Sequence, residues 1–145
     1  MAGGVVAASG SAQRDPAAPR AAAPAACAGP PPGTHRIGVE DGRVPVVLHV
    51  PPGPATARRP LVLVLHGAGQ TARDIASYTG YSRLDDERGF MVAYPTATGD
   101  RPFWNVSGQL PGKPDDVAYL RHVITTLTGP AACADAAGPV SVVIT

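Results

Sequence analysis

The stretch Leu61-Val62-Leu63-Val64-Leu65, followed at once by His66-Gly67-Ala68-Gly69-Gln70, constrains this chain more than any other. Five uninterrupted apolar residues are too few for a buried helix. A run without polar alternation marks a strand covered on both faces, as in parallel sheets. A helical region follows the glycines: Thr71 stands as its cap, with Asp74 three residues on in the capping-box position. Ile75, Tyr78, Tyr81 or Ser82, and Leu84 to Arg88 keep helical spacing. Gly80 is expected to break that helix in two and Gly89 to stop it. Phe90 to Tyr94 is a second apolar strand, closed by Pro95. After a Gly- and Pro-rich loop over 95–114, Asp115 and Asp116 open another helix at its positive end. Its expected apolar face is Val117, Leu120, Val123 or Ile124, and Leu127. Pro139 to Ile144 reads as a third buried strand.

Upstream, His35 to Glu40 and Val44 to Val50 read as two strands joined at Asp41-Gly42, a strong hairpin signal. Pro45 suggests that the second is an edge strand. The resulting order is hairpin, β, α, β, α, β. That alternation implies an α/β fold with a mostly parallel sheet and helices on its faces. Ligands in such sheets bind beyond the carboxyl ends of the strands. His66–Gln70, the 95–114 loop and Thr145 are all expected at that edge.

Composition sets the outer limits. The 145 residues include 17 Gly and 17 Pro, together 34, which approaches a low-complexity content. The excess is concentrated: residues 1–34 hold 23 Ala, Gly or Pro and no aromatic residue. That segment reads as a leader, or as a degenerate signal region lacking a basic start and a strong apolar run. Residues 35–145 then form the folded part, with 44% hydrophobic residues overall to build a core. A net charge of +1 gives no electrostatic reason to expect nucleic acid as a partner. No run of 18 apolar residues occurs, so no membrane span is expected.

His-Gly and small residues between a buried strand and a helix are the layout of an oxyanion loop, in which backbone N–H groups face a tetrahedral intermediate. The competing readings are a plain Gly-rich βα turn and a phosphate cradle. Gly67-Ala68-Gly69 is not GxGxxG, and GxxxxGK[ST] is absent, so the nucleotide reading is weak.

Five pieces in order bring the loop into register with a family: LVLVLHGAGQTARDI, LDDERGFMVAYP, Trp104-Asn105, PDDVAYLRHVI and Cys133-Ala134-Asp135. Together they resemble the secreted esterases of the polyhydroxybutyrate depolymerase and feruloyl or acetylxylan esterase group, over about 110 residues. The resemblance implies the α/β-hydrolase fold and a Ser-His-Asp mechanism on carboxylic esters. It implies that His66, Gly67, Ala68 and Gly69 form the oxyanion-hole loop, with Gly67 and Ala68 at the hole and His66 orienting it. It places Trp104 near the acyl or aryl group of the substrate, and gives Asp115 and Asp116 structural roles. Relatives carry cysteines near Cys27 and Cys133, whose pairing in one disulfide is left open against two free thiols.

In this fold Gly-x-Ser-x-Gly follows the next strand. No such pentapeptide occurs, and Ser9, Ser11, Ser77, Ser82, Ser107 and Ser141 do not stand on a strand-to-helix elbow. His35, His49 and His122 read as strand or helix positions without a catalytic setting, and Asn105-Val106-Ser107 is a bare glycosylation sequon. The chain is therefore expected to be the front of such a fold, cut before its nucleophile elbow, without catalytic Ser, Asp or His. Alone it is expected to be inactive and marginally stable or aggregation-prone. An ester substrate would be its partner once the missing half is supplied. A non-catalytic α/β remnant, or a binding module using the Trp104 loop, is the alternative. Export with an incomplete or mis-started signal is expected, against a cytoplasmic fragment. No cofactor and no metal are expected. Asp85-Asp86-Glu87 and Asp115-Asp116 read as a solvated helix face and a first turn, because adjacent helical positions point apart.

Overall fold

Strand alternation divides this protein into two apolar layers. The computed structural model describes residues 27–39, 43–105, 111–129, 132, 134–135 and 138–145. Leu61, Leu63 and Leu65 of β3 (Leu61–Leu65), Met91 and Ala93 of β4 (Met91–Tyr94), and Val46, Leu48 and Val50 of β2 (Val46–Val50) form one buried cluster. Tyr119, Val123 and Leu127 of α3 (Asp116–Thr128) complete it. The alternate residues Val64, Val92 and Tyr94 face the other way, onto Ala72 and Ile75 of α1 (Ala72–Tyr78). Tyr81, from α2 (Tyr81–Arg88), packs against the same layer. Because successive strand residues point to opposite faces, a strand covered on both sides must be apolar throughout. That is why β3 and β4 read as continuous runs.

The five strands lie in the order β1-β2-β4-β3-β5, with β1 at Gly33–Ile37 and β5 at Val140–Ile144. β3 pairs in parallel with β4 and β5, whereas β1–β2 and β2–β4 are antiparallel. The sheet is thus mixed, with equal numbers of the two pairings among the described strands, rather than mostly parallel. The N-terminal strand pair forms in the register Ile37↔Val46, though β1 starts two residues earlier than expected. The Asp41-Gly42 turn lies outside the described residues. β2 is an interior strand, not an edge: Pro45 stands just before it, so no ladder donor is lost.

Two further expectations need correction. β5 is exposed in this chain: among the described strands it pairs with β3 alone, and Val142 and Ile144 are 51% and 66% exposed. The buried face of α3 is Asp116, Tyr119, Val123 and Leu127, and Val117 is exposed. A polar residue and a tyrosine at helical spacing are easy to assign to solvent. Here both are used by the ion pair described next.

The helix boundaries follow local chemistry. Thr71 and Asp74 make the reciprocal capping box, and Asp115 caps α3 by accepting from the Ala118 N–H at 3.0 Å. Gly80 separates α1 from α2, and Gly89 closes α2 by donating to Asp85 O. Asp116, buried at the start of α3, accepts from the Arg43 guanidinium through Oδ1 and from the Asn105 N–H through Oδ2 at 2.6 Å. Arg43 also lies over the Tyr119 ring at 4.1 Å. One carboxylate therefore ties the approach to β2, the long loop and α3 together. Removing one member of a buried pair strands the other. Asp116→Ala is expected to lower unfolding stability by about 3–5 kcal/mol, measured by urea denaturation, whereas Asp115→Ala costs about 1 kcal/mol as a lost cap.

Candidate active site

The turn after β3 is cross-linked from several directions. His66 is fully buried. Its Nδ1 lies 2.8 Å from Gly67 O, so that nitrogen donates, and Nε2 accepts from the Ala97 N–H at 3.0 Å. With both ring nitrogens engaged, no lone pair remains on the imidazole for general-base work. The Trp104 indole N–H donates to His66 O at 2.9 Å, and the two rings lie 5.0 Å apart in a tilted contact. His66 thus joins the end of β3 to the segment after β4 and to the long loop.

The glycines answer to different demands. Gly67 N–H donates to Gln70 Oε1 at 2.9 Å, and a Cβ at Gly67 would sit 3.0 Å from that oxygen and 3.1 Å from Thr145 O. A side chain there would push the Gln70 amide or the Thr145 carbonyl back by a few tenths of an ångström. Gly69 takes φ 78°, the left-handed region that favours glycine, and its N–H donates to Pro102 O at 2.7 Å. Between them Ala68 is exposed, and its N–H has no partner among the described residues. Thr145 donates its N–H to Leu65 O, which brings the end of β5 to the same edge.

Of the residues singled out in the sequence, His66, Gly67, Ala68, Gly69 and Trp104 therefore meet at one end of the sheet. Trp104 is half-buried and packed against the α3-side cluster. Its neighbours Arg101 and Phe103, not singled out in the sequence, line an open depression of about 550 Å³ with Ala68 and Gly69. The Lys113 ammonium sits 4.0 Å from the Phe103 ring centre. Cys27 is buried and disulfide-bonded. Cys133 and Ser107 lie outside the described residues.

Residues 44–102 match the family described as Esterase PHB depolymerase. A protein from Nocardia uniformis subsp. tsuyamanensis, described as "Putative esterase NocK", is 38% identical over 90 residues, or 58% of this chain. The likeness is to esterases. The chain spans 26% of the length of that relative. The family match takes in β2, β3, α1, α2, β4 and the His66–Gly69 turn. No helix among the described residues is long and apolar enough to cross a membrane.

A second polar cluster corrects the reading of Asp85-Asp86-Glu87 as a solvated helix face. Asp85 is fully buried, and neither carboxylate oxygen has a hydrogen-bond partner. Burial pushes its carboxyl up to about 7; the Asp86 charge adds to this and the His49 charge opposes it. Only helical phase distinguished Asp85 from its neighbours, and a D-D-E run hides that phase.

Two outcomes follow. His66→Leu keeps the volume but leaves the buried Ala97 N–H unpaired, and is expected to cost about 1–3 kcal/mol in urea denaturation. For Asp85, the folded state holds its proton to about pH 7 whereas the unfolded chain releases it near 3.8. The folded state therefore binds more protons between these values, and stability falls as pH rises through the window. In metal-free buffer, Asp85→Asn should melt progressively higher than the parent from pH 4 to pH 7. A constant gap across that range would contradict the assignment.

Proposed function

We propose that this chain supplies the oxyanion side of a serine carboxylesterase of the α/β-hydrolase fold, with the nucleophile, acid and base contributed by sequence beyond these 145 residues. The observation that carries this reading is the amide of the exposed residue Ala68, which has no hydrogen-bond partner among the described residues and lies between two neighbours whose own N–H groups are already bonded. A donor fixed in place before substrate arrives is what stabilises a developing oxyanion at little reorganisation cost. Of the two positions expected at the hole, Ala68 is the donor in this reading. Gly67 gives its N–H to Gln70 and serves by leaving room.

The substrate class in this reading is a carboxylic ester of a polyester, such as a polyhydroxyalkanoate, or of a feruloylated or acetylated polysaccharide. Phe103 offers an apolar wall beside Ala68. The disulfide at Cys27 fits export to an oxidising compartment. A binding module centred on Trp104 is less well supported, since the indole N–H and ring are already used within the fold.

The test is a chimera in which the segment from position 44 onward replaces the matched segment of the Nocardia relative. It is expected to hydrolyse a p-nitrophenyl ester, and Ala68→Pro, which deletes the N–H, should lower kcat by about 10²–10³-fold in a chimera that still melts cooperatively. Unchanged kcat in that variant would contradict the donor assignment. The 145-residue chain alone should take no fluorophosphonate label, and labelling at any of its serines would overturn the claim that the nucleophile lies elsewhere.

A further inference from the structure

At the end of the sheet away from the His66–Gly69 turn, His49 of β2 meets Asp85 and Asp86 of α2. His49 Nε2 lies 3.4 Å from Asp85 Oδ1 and 3.1 Å from Asp86 Oδ1, and one ligand atom from each residue falls within 4.8 Å of the others. We propose that His49, Asp85 and Asp86 form a binding site for a divalent transition-metal ion, zinc in the first instance.

Three observations carry this. First, Asp85 is fully buried with Oδ1 facing His49 Nε2 at 3.4 Å, and beyond a weak contact with Asp86 neither of its oxygens has a well-formed hydrogen bond. Buried polar groups are almost always partnered, so an exception calls for a missing partner. The nearby imidazole gives its Nε2–H to Asp86 Oδ1 at 3.1 Å and leaves the Asp85 oxygens without that donor. Second, the spacing fits. Metal–ligand bonds of about 2.0–2.2 Å set neighbouring ligand atoms about 3.3–3.6 Å apart in a tetrahedron, close to the two separations from His49 Nε2, 3.4 and 3.1 Å. Third, the imidazole is held from behind: Thr34 Oγ1 lies 2.9 Å from His49 Nδ1. In the structure Nε2–H donates to Asp86 Oδ1 at 3.1 Å and Nδ1 accepts from the Thr34 hydroxyl. A bound ion would take the place of the Nε2 proton, with Nδ1–H then donating to Thr34 Oγ1, the outer-shell arrangement that orients ligating histidines.

The donor set also selects the ion. Two carboxylates neutralise a divalent charge. One imidazole and only three protein ligands suit zinc, cobalt or manganese better than calcium, which takes six to eight oxygens. Asp86 is partly exposed, and His49 also lines a cavity of about 650 Å³ with Thr34, Ser82 and Tyr94. A fourth ligand can therefore enter from solvent. The ion would join α2 to β2 and offset three acids placed near the negative end of α2.

The probe is Zn²⁺, added to the full 145-residue chain after EDTA stripping, with binding read by competition against a chromophoric chelator and by the shift in melting temperature. One equivalent is expected to bind and raise the Tm. Asp85→Asn and His49→Gln should each weaken binding more than tenfold, and Thr34→Val, which loses the outer hydroxyl, by about tenfold. Asp85→Asn carries the decision if His49→Gln fails to fold, because a neutral isostere at a buried carboxylate should melt in EDTA no lower than the parent. Absence of saturable binding, or affinity unchanged in Asp85→Asn, would overturn the proposal. The readout is the metal itself, so it stands or falls apart from the esterase reading.

Discussion

The His66 imidazole is the interaction on which the carboxyl edge of the sheet depends. A turn rich in glycine has little conformational preference of its own, and loops at strand ends move unless something holds them. Here one buried ring closes the turn on Gly67 O and captures the Ala97 N–H, while its backbone carbonyl receives the Trp104 indole. Without it a buried amide and a carbonyl lose their partners, at a cost comparable to the net worth of several ordinary hydrogen bonds. Gln70 completes the arrangement by occupying Gly67 N–H, which leaves Ala68 as the turn amide without a partner among the described residues.

A second polar node supports the first from the α3 side. Asp116 accepts from Arg43 and from Asn105, next to Trp104, so the long loop is fastened at its base as the tryptophan is fastened at its ring. The apolar layers place these nodes but do not specify them. Val46, Leu48, Leu61 and Leu63 would pack against almost any amphipathic helix, whereas a buried carboxylate with a fixed set of donors accepts few alternatives. Buried polar groups thus fix how the loop meets the sheet.

How far the sequence revealed this follows from the range of each interaction. β3, β4, the Thr71 cap, the break at Gly80 and the start of α3 at Asp115 are set by neighbours within a turn or a strand, and were legible. Strand direction was not: the antiparallel placement of β2 beside β4 joins residues some 45 positions apart, which no local pattern encodes. The apolar run at β5 reports composition and not coverage, and its exposure in this chain agrees with the expectation of an uncovered apolar edge. At the candidate site, glycine spacing located the turn. The division of labour among Gly67, Ala68 and Gly69 depends on Gln70, Pro102 and Thr145, whose approach only the fold reveals. Asp85 was missed for a related reason, since its burial depends on packing against β2, which carries His49 and lies far off in the sequence.

The two ends of the sheet therefore carry different chemistry: a pre-set amide at the carboxyl edge, and a convergent imidazole–carboxylate group at the other. The central claim is that the turn is held rigid with one amide left free. Amide hydrogen exchange of the 145-residue chain by NMR tests this most directly. The Ala97 and Gly67 amides and the Trp104 indole N–H are expected to be protected, with the Ala68 amide exchanging much faster. Equal, rapid exchange at all four would contradict the account.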